Sequence, residues 1–129
     1  MSSDQKMQIG MISWRDLTVE NAEEIRDFYK SVVGWESEDV DMGGYSDYSM
    51  NAPGSGETVA GICHARGGNA DLPSRWLVYI TVEDVEQSAK RCTDLGGEVL
   101  AGPRPLAGGT FCVIKDPAGA VCALFQPPG

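Results

Sequence analysis

Two side chains in this sequence, Asp16 and His64, have the chemistry for proton transfer. His64 is the only histidine among 129 residues, and imidazole is the side chain that exchanges protons near neutral pH. A carboxylate such as Asp16 can work with it as a general acid–base pair. Each residue also has a plainer interpretation. His64 would be an exposed residue at a strand end, and Asp16 would form an ion pair with Arg75 or with Arg15 of a neighbouring copy.

Aromatic side chains are the second feature that could carry function. Alternation along a strand places Trp14 and Thr18 on the same face as Asp16, and it places Tyr79 on the matching face of the second copy. Tyr48 of the first copy is matched in the same way by Phe111 of the second. If these faces line a cavity, its aromatic walls suit a flat or amphipathic organic ligand held by stacking and one or two hydrogen bonds. The alternative is that the aromatic residues are plain core. The predicted ligand-binding residues are Trp14, Thr18, Tyr48, Trp76, Tyr79 and Phe111.

An internal repeat positions these residues. Residues 14–34 overlay residues 77–97 at one constant offset and without a gap, so that Thr18 matches Thr81 and Gly34 matches Gly97. Two copies are too few for a solenoid. The repeat therefore predicts a pseudo-symmetric domain whose two halves complete one core.

Each copy has the pattern of a strand, a helix and three further strands. Asn21 with Glu24, and Asp84 with Gln87, predict the starts of the two helices, and Gly34 and Gly96-Gly97 predict their ends. Residues 65–75, which are rich in Gly, Asn, Asp and Pro, form the predicted linker between unit 11–64 and unit 76–127. The predicted strands are 11–19, 35–40, 45–51 and 58–64 in the first copy, and 98–101, 110–115 and 121–126 after the second helix.

Charge and composition narrow the classes of function. A formal net charge of -9 argues against nucleic acid and anionic membranes, since both require a basic surface. No apolar run is long enough to span a bilayer, and residues 1–10 lack the apolar segment of a signal peptide. We therefore expect a cytoplasmic protein. Its four cysteines form no C-x-x-C pair and favour free thiols over disulfides or a zinc site.

The order of these motifs resembles the vicinal oxygen chelate superfamily, which includes glyoxalase I, bleomycin-resistance proteins and extradiol dioxygenases. The resemblance covers about residues 11–127. It implies one α+β domain in which tandem pseudo-symmetric β-α-β-β-β units form curved mixed sheets around a cavity. The matching segments are Phe28-Tyr29, Gly34-Trp35, Trp76–Val85, Leu95–Gly97 and Asp116–Ala120.

The resemblance also implies where a catalytic metal would be bound. Enzymes of this superfamily usually hold one divalent ion with two His or Gln and two Glu. The corresponding positions here are Trp14, Ala60, Leu77 and Ala123, none of which can bind a metal. A displaced site would have to use Asp16, His64 or Gln126. One histidine cannot supply the two-His site of an extradiol dioxygenase, so we expect no metal ligands and no cofactor, with a displaced divalent metal as the less favoured alternative.

Three functions remain open. The favoured one is a metal-free protein that binds a small organic molecule, as bleomycin-resistance proteins do. The second is a glyoxalase-like lyase or isomerase that uses a displaced metal or the Asp16–His64 pair. The third is a partner-binding module without a working pocket. Family members commonly pair, so we also expect a homodimer.

Overall fold

The computed structural model describes residues 7–129, so the prediction about residues 1–10 lies mostly outside the described part. The chain divides into two compact units. The first contains residues 15–76, and the second contains residues 77–129 together with the described residues before Arg15. The division falls within one residue of the start of the predicted second unit.

The first unit contains one helix and a mixed sheet. Its elements are β1 (Ile12–Val19), α1 (Ala22–Val33), β2 (Glu36–Asp41), β3 (Ser46–Asn51) and β4 (Thr58–His64); the first three residues of β1 group with the second unit. The strand order is β2-β3-β4-β1. β1 runs parallel to β4, and the other two neighbouring pairs are antiparallel.

The second unit repeats this arrangement. Its elements are β5 (Trp76–Thr81), α2 (Val85–Asp94), β6 (Glu98–Leu106), β7 (Gly109–Lys115) and β8 (Val121–Gln126), in the strand order β5-β8-β7-β6. β5 runs parallel to β8, as β1 does to β4. The predicted α+β fold of two β-α-β-β-β units is therefore confirmed. The linker contains a short 3₁₀ helix, Gly67–Asn69.

Most of the predicted helix boundaries are observed, with one correction. Gly34 ends α1 in the left-handed conformation (φ 87°), and its N–H donates to the Lys30 carbonyl. The Asp84 carboxylate accepts the N–H of Gln87 at the start of α2. Asn21 is the N-cap residue of α1, as predicted, but its side chain makes no hydrogen bond to the α1 backbone, so the predicted capping box does not form. The Asn21 amide instead donates to Glu24 Oε1 at 3.2 Å.

Each helix covers one face of its own sheet. In the first unit the buried cluster contains Ala22 of α1, Tyr48 and Met50 of β3, and Ala60 and Ile62 of β4. In the second unit Val85 and Ala89 of α2 pack with Cys112 and Leu124. Apolar burial of this kind supplies most of the driving force for folding. In the described part of the chain, no helix is long and apolar enough to cross a membrane.

These clusters correct the predicted face of Tyr48. Tyr48 lies on the side of its sheet that α1 covers, whereas in the second unit Cys112, and not Phe111, lies on the side that α2 covers. Tyr48 therefore corresponds to Cys112, and the predicted match with Phe111 was one residue out of register. A slip of one residue moves a side chain to the opposite face of a strand. Trp76, a predicted ligand-binding residue, also packs on the α1 side.

Candidate functional site

The first unit contains an open pocket that includes two of the predicted site residues, His64 and Tyr48. Its volume is about 330 Å³, within the range of small-molecule sites. His64 ends β4, Tyr48 lies in β3, and the first turns of α1 form the opposite wall. The lining residues are Glu23, Arg26, Asp39, Tyr45, Ser46, Tyr48 and His64.

A buried carboxylate holds His64 in place. Asp47 is 5% exposed. Its Oδ1 accepts the His64 backbone N–H at 2.8 Å and lies 3.3 Å from the ring nitrogen Nδ1. When Nδ1 carries the hydrogen and donates it to Asp47, the other ring nitrogen, Nε2, is the basic one. The pair therefore has the arrangement of a histidine base oriented by a carboxylate.

Aromatic rings surround the imidazole. The Tyr45 ring lies edge-on to it, with centroids 5.5 Å apart, and the Tyr48 ring lies 5.9 Å away. Burial raises the pKa of Tyr48. Its phenol therefore stays neutral at physiological pH and can donate or accept a hydrogen bond. The pocket combines ring surfaces with polar groups and so suits an amphipathic molecule.

Arg26 is a fixed cation in the wall of the pocket. Its guanidinium lies 4.7 Å from the centroid of the Tyr48 ring, a distance at which a cation is attracted to an aromatic face. Its Nε also donates to Asp27 Oδ1 at 2.9 Å. That hydrogen bond raises the pKa of Arg26 and lowers the pKa of Asp27. The hydrogen bond to Asp27 therefore helps to hold the Arg26 guanidinium over the Tyr48 ring.

The structure changes the partner predicted for His64. Asp47 supplies the carboxylate, whereas Asp16 lies opposite Gly61 in the β1–β4 register. Burial is the largest cause of the raised pKa of the Cys63 thiol, and the negative charges of Asp16 and Asp47 raise it further. Thr18, a predicted ligand-binding residue, is 2% exposed and lies opposite Cys63. Sequence reasoning missed Asp47, although an acidic residue between Tyr45 and Tyr48 in a predicted strand was a usable signal.

We expect the buried thiols to be unreactive. Burial raises the pKa of Cys63, and it raises the pKa of Cys112 from 9.0 to about 11. The thiolate is the reactive form, so at pH 8 an alkylating reagent should modify both residues much more slowly in the folded chain than in urea. The unfolded thiols ionise near pH ~8.5. The protonated thiol of Cys112 therefore makes its full contribution to stability below that pH. The free energy of unfolding should fall as the pH rises from about 9 towards 11, because the unfolded thiol ionises first. Equal alkylation rates in both states would contradict this.

In the second unit the structure brings together two other predicted residues. The rings of Tyr79 and Phe111 lie 6.3 Å apart, and the Arg104 guanidinium lies 5.4 Å from the Phe111 centroid. Tyr79 and Phe111 are each only 3% exposed. On the same strand as Tyr79, the Thr81 hydroxyl oxygen lies 2.8 Å from the Ser13 hydroxyl oxygen. Ser13 comes directly before Trp14, which is half-buried. The predicted aromatic face therefore exists here, although its rings are withdrawn from solvent.

The positions at which the superfamily binds metal do not fit a metal ion. Trp14, Leu77 and Ala123 have no suitable donor atoms. Ala60 lies in the cluster beneath α1, so the residues on the other face of β4 at this point are Val59 and Gly61, which also lack donors. Among residues 7–129 there is no group of three or more His, Cys, Asp or Glu side chains that could hold a metal ion.

Elemental analysis tests this conclusion. Protein purified without chelators should contain far less than one equivalent of zinc, nickel, manganese or iron per chain, because these positions offer no ligands. About one equivalent of any of these metals would contradict the account and would point to a displaced site that includes His64.

The fold and the pocket define a class of α+β proteins made of paired β-α-β-β-β units. Residues 8–124 match the family model of the Glyoxalase/Bleomycin resistance protein/Dioxygenase superfamily. The chain belongs to this superfamily, which confirms the resemblance predicted from its motifs.

Two curated relatives are similar to the chain in sequence. The chain is 26% identical over 121 residues to "Putative glyoxylase CFP32" of Mycobacterium tuberculosis, covering 93% of this chain and 45% of the relative. It is 26% identical over 117 residues to the anthracycline biosynthesis protein DnrV of Streptomyces peucetius, covering 91% of this chain and 42% of that protein. The chain thus spans less than half the length of these relatives.

Solved structures support the fold. The structure of methylmalonyl-CoA epimerase from M. tuberculosis superposes with a TM-score of 0.54 at 16% identity, covering 97% of this chain and 93% of that one. A hypothetical protein of Bacillus halodurans gives a TM-score of 0.57 at 12% identity, covering 92% and 95%. At such low identity these similarities show the fold alone.

Proposed function

We propose that this chain binds a flat or amphipathic organic molecule, without a catalytic metal, in the pocket that contains His64. One observation carries the proposal. The only histidine of the chain is oriented by Asp47 against two tyrosine rings, at the wall of an open pocket of about 330 Å³. Rings offer stacking surfaces, and His64, Ser46 and Arg26 offer hydrogen bonds that fix a ligand's orientation.

The relatives are compatible with this function. The S. peucetius relative is named an anthracycline biosynthesis protein, and anthracyclines contain a flat ring system. The lack of metal-binding side chains at the superfamily positions also favours binding over metal-dependent chemistry.

A pair of variants tests the proposal. Flat and amphipathic compounds are first screened by thermal shift, and the affinity of each hit is then measured by calorimetry. Tyr45→Ala should weaken binding by about tenfold or more, because it removes a half-buried ring from the pocket wall. The matched control is Leu95→Ala, which removes an exposed apolar side chain that does not line this pocket. Equal affinity for both variants would locate the hit elsewhere, and a screen without hits would favour a partner-binding module.

A glyoxalase-like lyase or isomerase is the second candidate, and the Asp47–His64 pair favours it. In such a reaction His64 Nε2 takes a proton from a carbon next to a carbonyl group, while Asp47 stabilises the resulting imidazolium. His64→Gln should then reduce turnover by about 10²–10⁴-fold and leave substrate affinity nearly unchanged. A substrate whose conversion rate is the same in this variant would exclude the acid–base role.

We also propose that the protein forms a homodimer in the cytoplasm. The edge strands of the two sheets argue against pairing through sheet edges: β2 carries four acidic residues within Glu36–Asp41, and β6 carries Pro103 and Pro105. The homodimer that we propose would therefore use another surface, such as the exposed apolar residues Val32 and Val33 of α1. We propose a cytoplasmic location, in keeping with four free cysteines.

A further inference from the structure

The first unit contains a second cleft, and none of the described residues that line it also lines the His64 pocket. Its volume is about 350 Å³. It lies between α1 and the segment that leads into β5. Its walls are the rings of Phe28, Tyr29 and Trp76 with aliphatic side chains of β1 and α1, and Ser74 and Arg75 lie at one side.

The aromatic walls of this cleft are held in a fixed arrangement. Tyr29 meets Trp76 edge-on with centroids 5.4 Å apart, and the Trp76 indole N–H donates to the Tyr29 hydroxyl oxygen at 3.1 Å. Phe28 meets Tyr29 edge-on at 5.0 Å and is 52% exposed. An exposed phenylalanine beside a half-buried tryptophan leaves apolar ring surface in contact with water, which a flat molecule could cover.

The charge of the cleft indicates which flat molecule would bind. Among the described residues, Arg75 is the only charged one that lines it, although the chain as a whole carries a net charge of -9. Asp39 and Glu23, the carboxylates of the His64 pocket, do not line this cleft. A guanidinium binds a carboxylate with two parallel hydrogen bonds. The Ser74 hydroxyl, and the Tyr29 hydroxyl through its own hydrogen, are additional donors.

We propose that this cleft is a separate binding site for an aromatic carboxylate. The ring system covers Phe28 and Trp76, and the carboxylate binds Arg75. The site goes beyond the proposed function, since it neither uses His64 nor depends on the pocket around it.

Calorimetry with three matched probes tests the site: 2-naphthoate, its neutral analogue 2-naphthamide, and the cation 2-naphthylmethylammonium. Naphthoate should bind about tenfold more tightly than naphthamide, and the cation should bind most weakly. Arg75→Gln should remove this preference by weakening naphthoate about tenfold while changing naphthamide less than about twofold. Arg75→Lys should retain part of the preference, because it keeps the charge but not the planar fork. Arg75 is exposed, so these variants should fold.

The control is Arg66→Gln, which removes the same charge from the same linker but lies over the Tyr45 ring, 3.9 Å from its centroid. It should leave naphthoate binding unchanged. NMR locates the probe: the Trp76 indole N–H signal, assigned with Trp76→Phe, should move on titration, while the His64 ring signals should not. Three results would each overturn the proposal: no saturable naphthoate binding up to about 5 mM, equal binding of naphthoate and naphthamide, or a response of His64 without one of Trp76.

Discussion

Met50→Ala is expected to lower the free energy of unfolding by about 2–5 kcal/mol. Met50 is fully buried (0% exposed) and packs in the cluster beneath α1, beside Ala22 and Tyr48. Truncation to alanine removes its apolar contacts and leaves a cavity that a strand closely paired on both sides cannot fill.

Urea denaturation of both proteins measures this difference. The matched control is Met42→Ala, because Met42 is 44% exposed and lies outside the cluster, so its effect should stay within about 0.5 kcal/mol. Similar losses of stability in the two variants would show that the first unit is not packed as described.

Asp47→Ala should have the second largest effect. Asp47 accepts the His64 backbone N–H and lies against the imidazole Nδ1. Its removal leaves a part-buried donor without its acceptor, which costs about 1–3 kcal/mol. Asp47 is also one of the groups that raise the pKa of Cys63. Its loss should therefore lower that pKa and speed alkylation of Cys63.

Two comparisons make the Asp47 result specific. Asp47→Asn keeps an acceptor oxygen and should retain more stability than Asp47→Ala, while Asp94→Ala, at an exposed position near the end of α2, should change stability little. If Asp47→Ala matched Asp94→Ala in both stability and thiol reactivity, Asp47 would not hold the His64 site together.

The repeat and the turn residues were enough to predict most of the fold. β4 and β8 begin and end at the predicted residues, because each is an apolar run bounded by turn residues. β6 extends to Leu106, beyond the predicted end at residue 101. Pro103 and Pro105 argued against a strand there, yet proline is tolerated in edge strands, and β6 is an edge strand with shifts of register before Arg104.

The site was less predictable, because it depends on the register of single strands. Tyr48 was assigned to the wrong face, since alternation along one strand does not show which face the helix covers. Asp47 was missed because an acidic residue in a strand usually faces solvent. Here it is buried, since the His64 N–H satisfies its carboxylate. His64 is 17 residues away from Asp47 in sequence, and its N–H reaches the carboxylate only when β3 and β4 pair.

The NMR signals of the His64 ring test the central claim most directly. The chain has one histidine, so its ring protons report on this pocket alone. Titration with the compounds found by thermal shift should move these signals in a saturable way for at least one flat or amphipathic compound. The apparent Kd should rise about tenfold in Tyr45→Ala and stay constant in Leu95→Ala. The account would be contradicted if none of the compounds that bind saturably by calorimetry moved the His64 signals; a compound that moved only the Trp76 indole signal would occupy the second cleft instead.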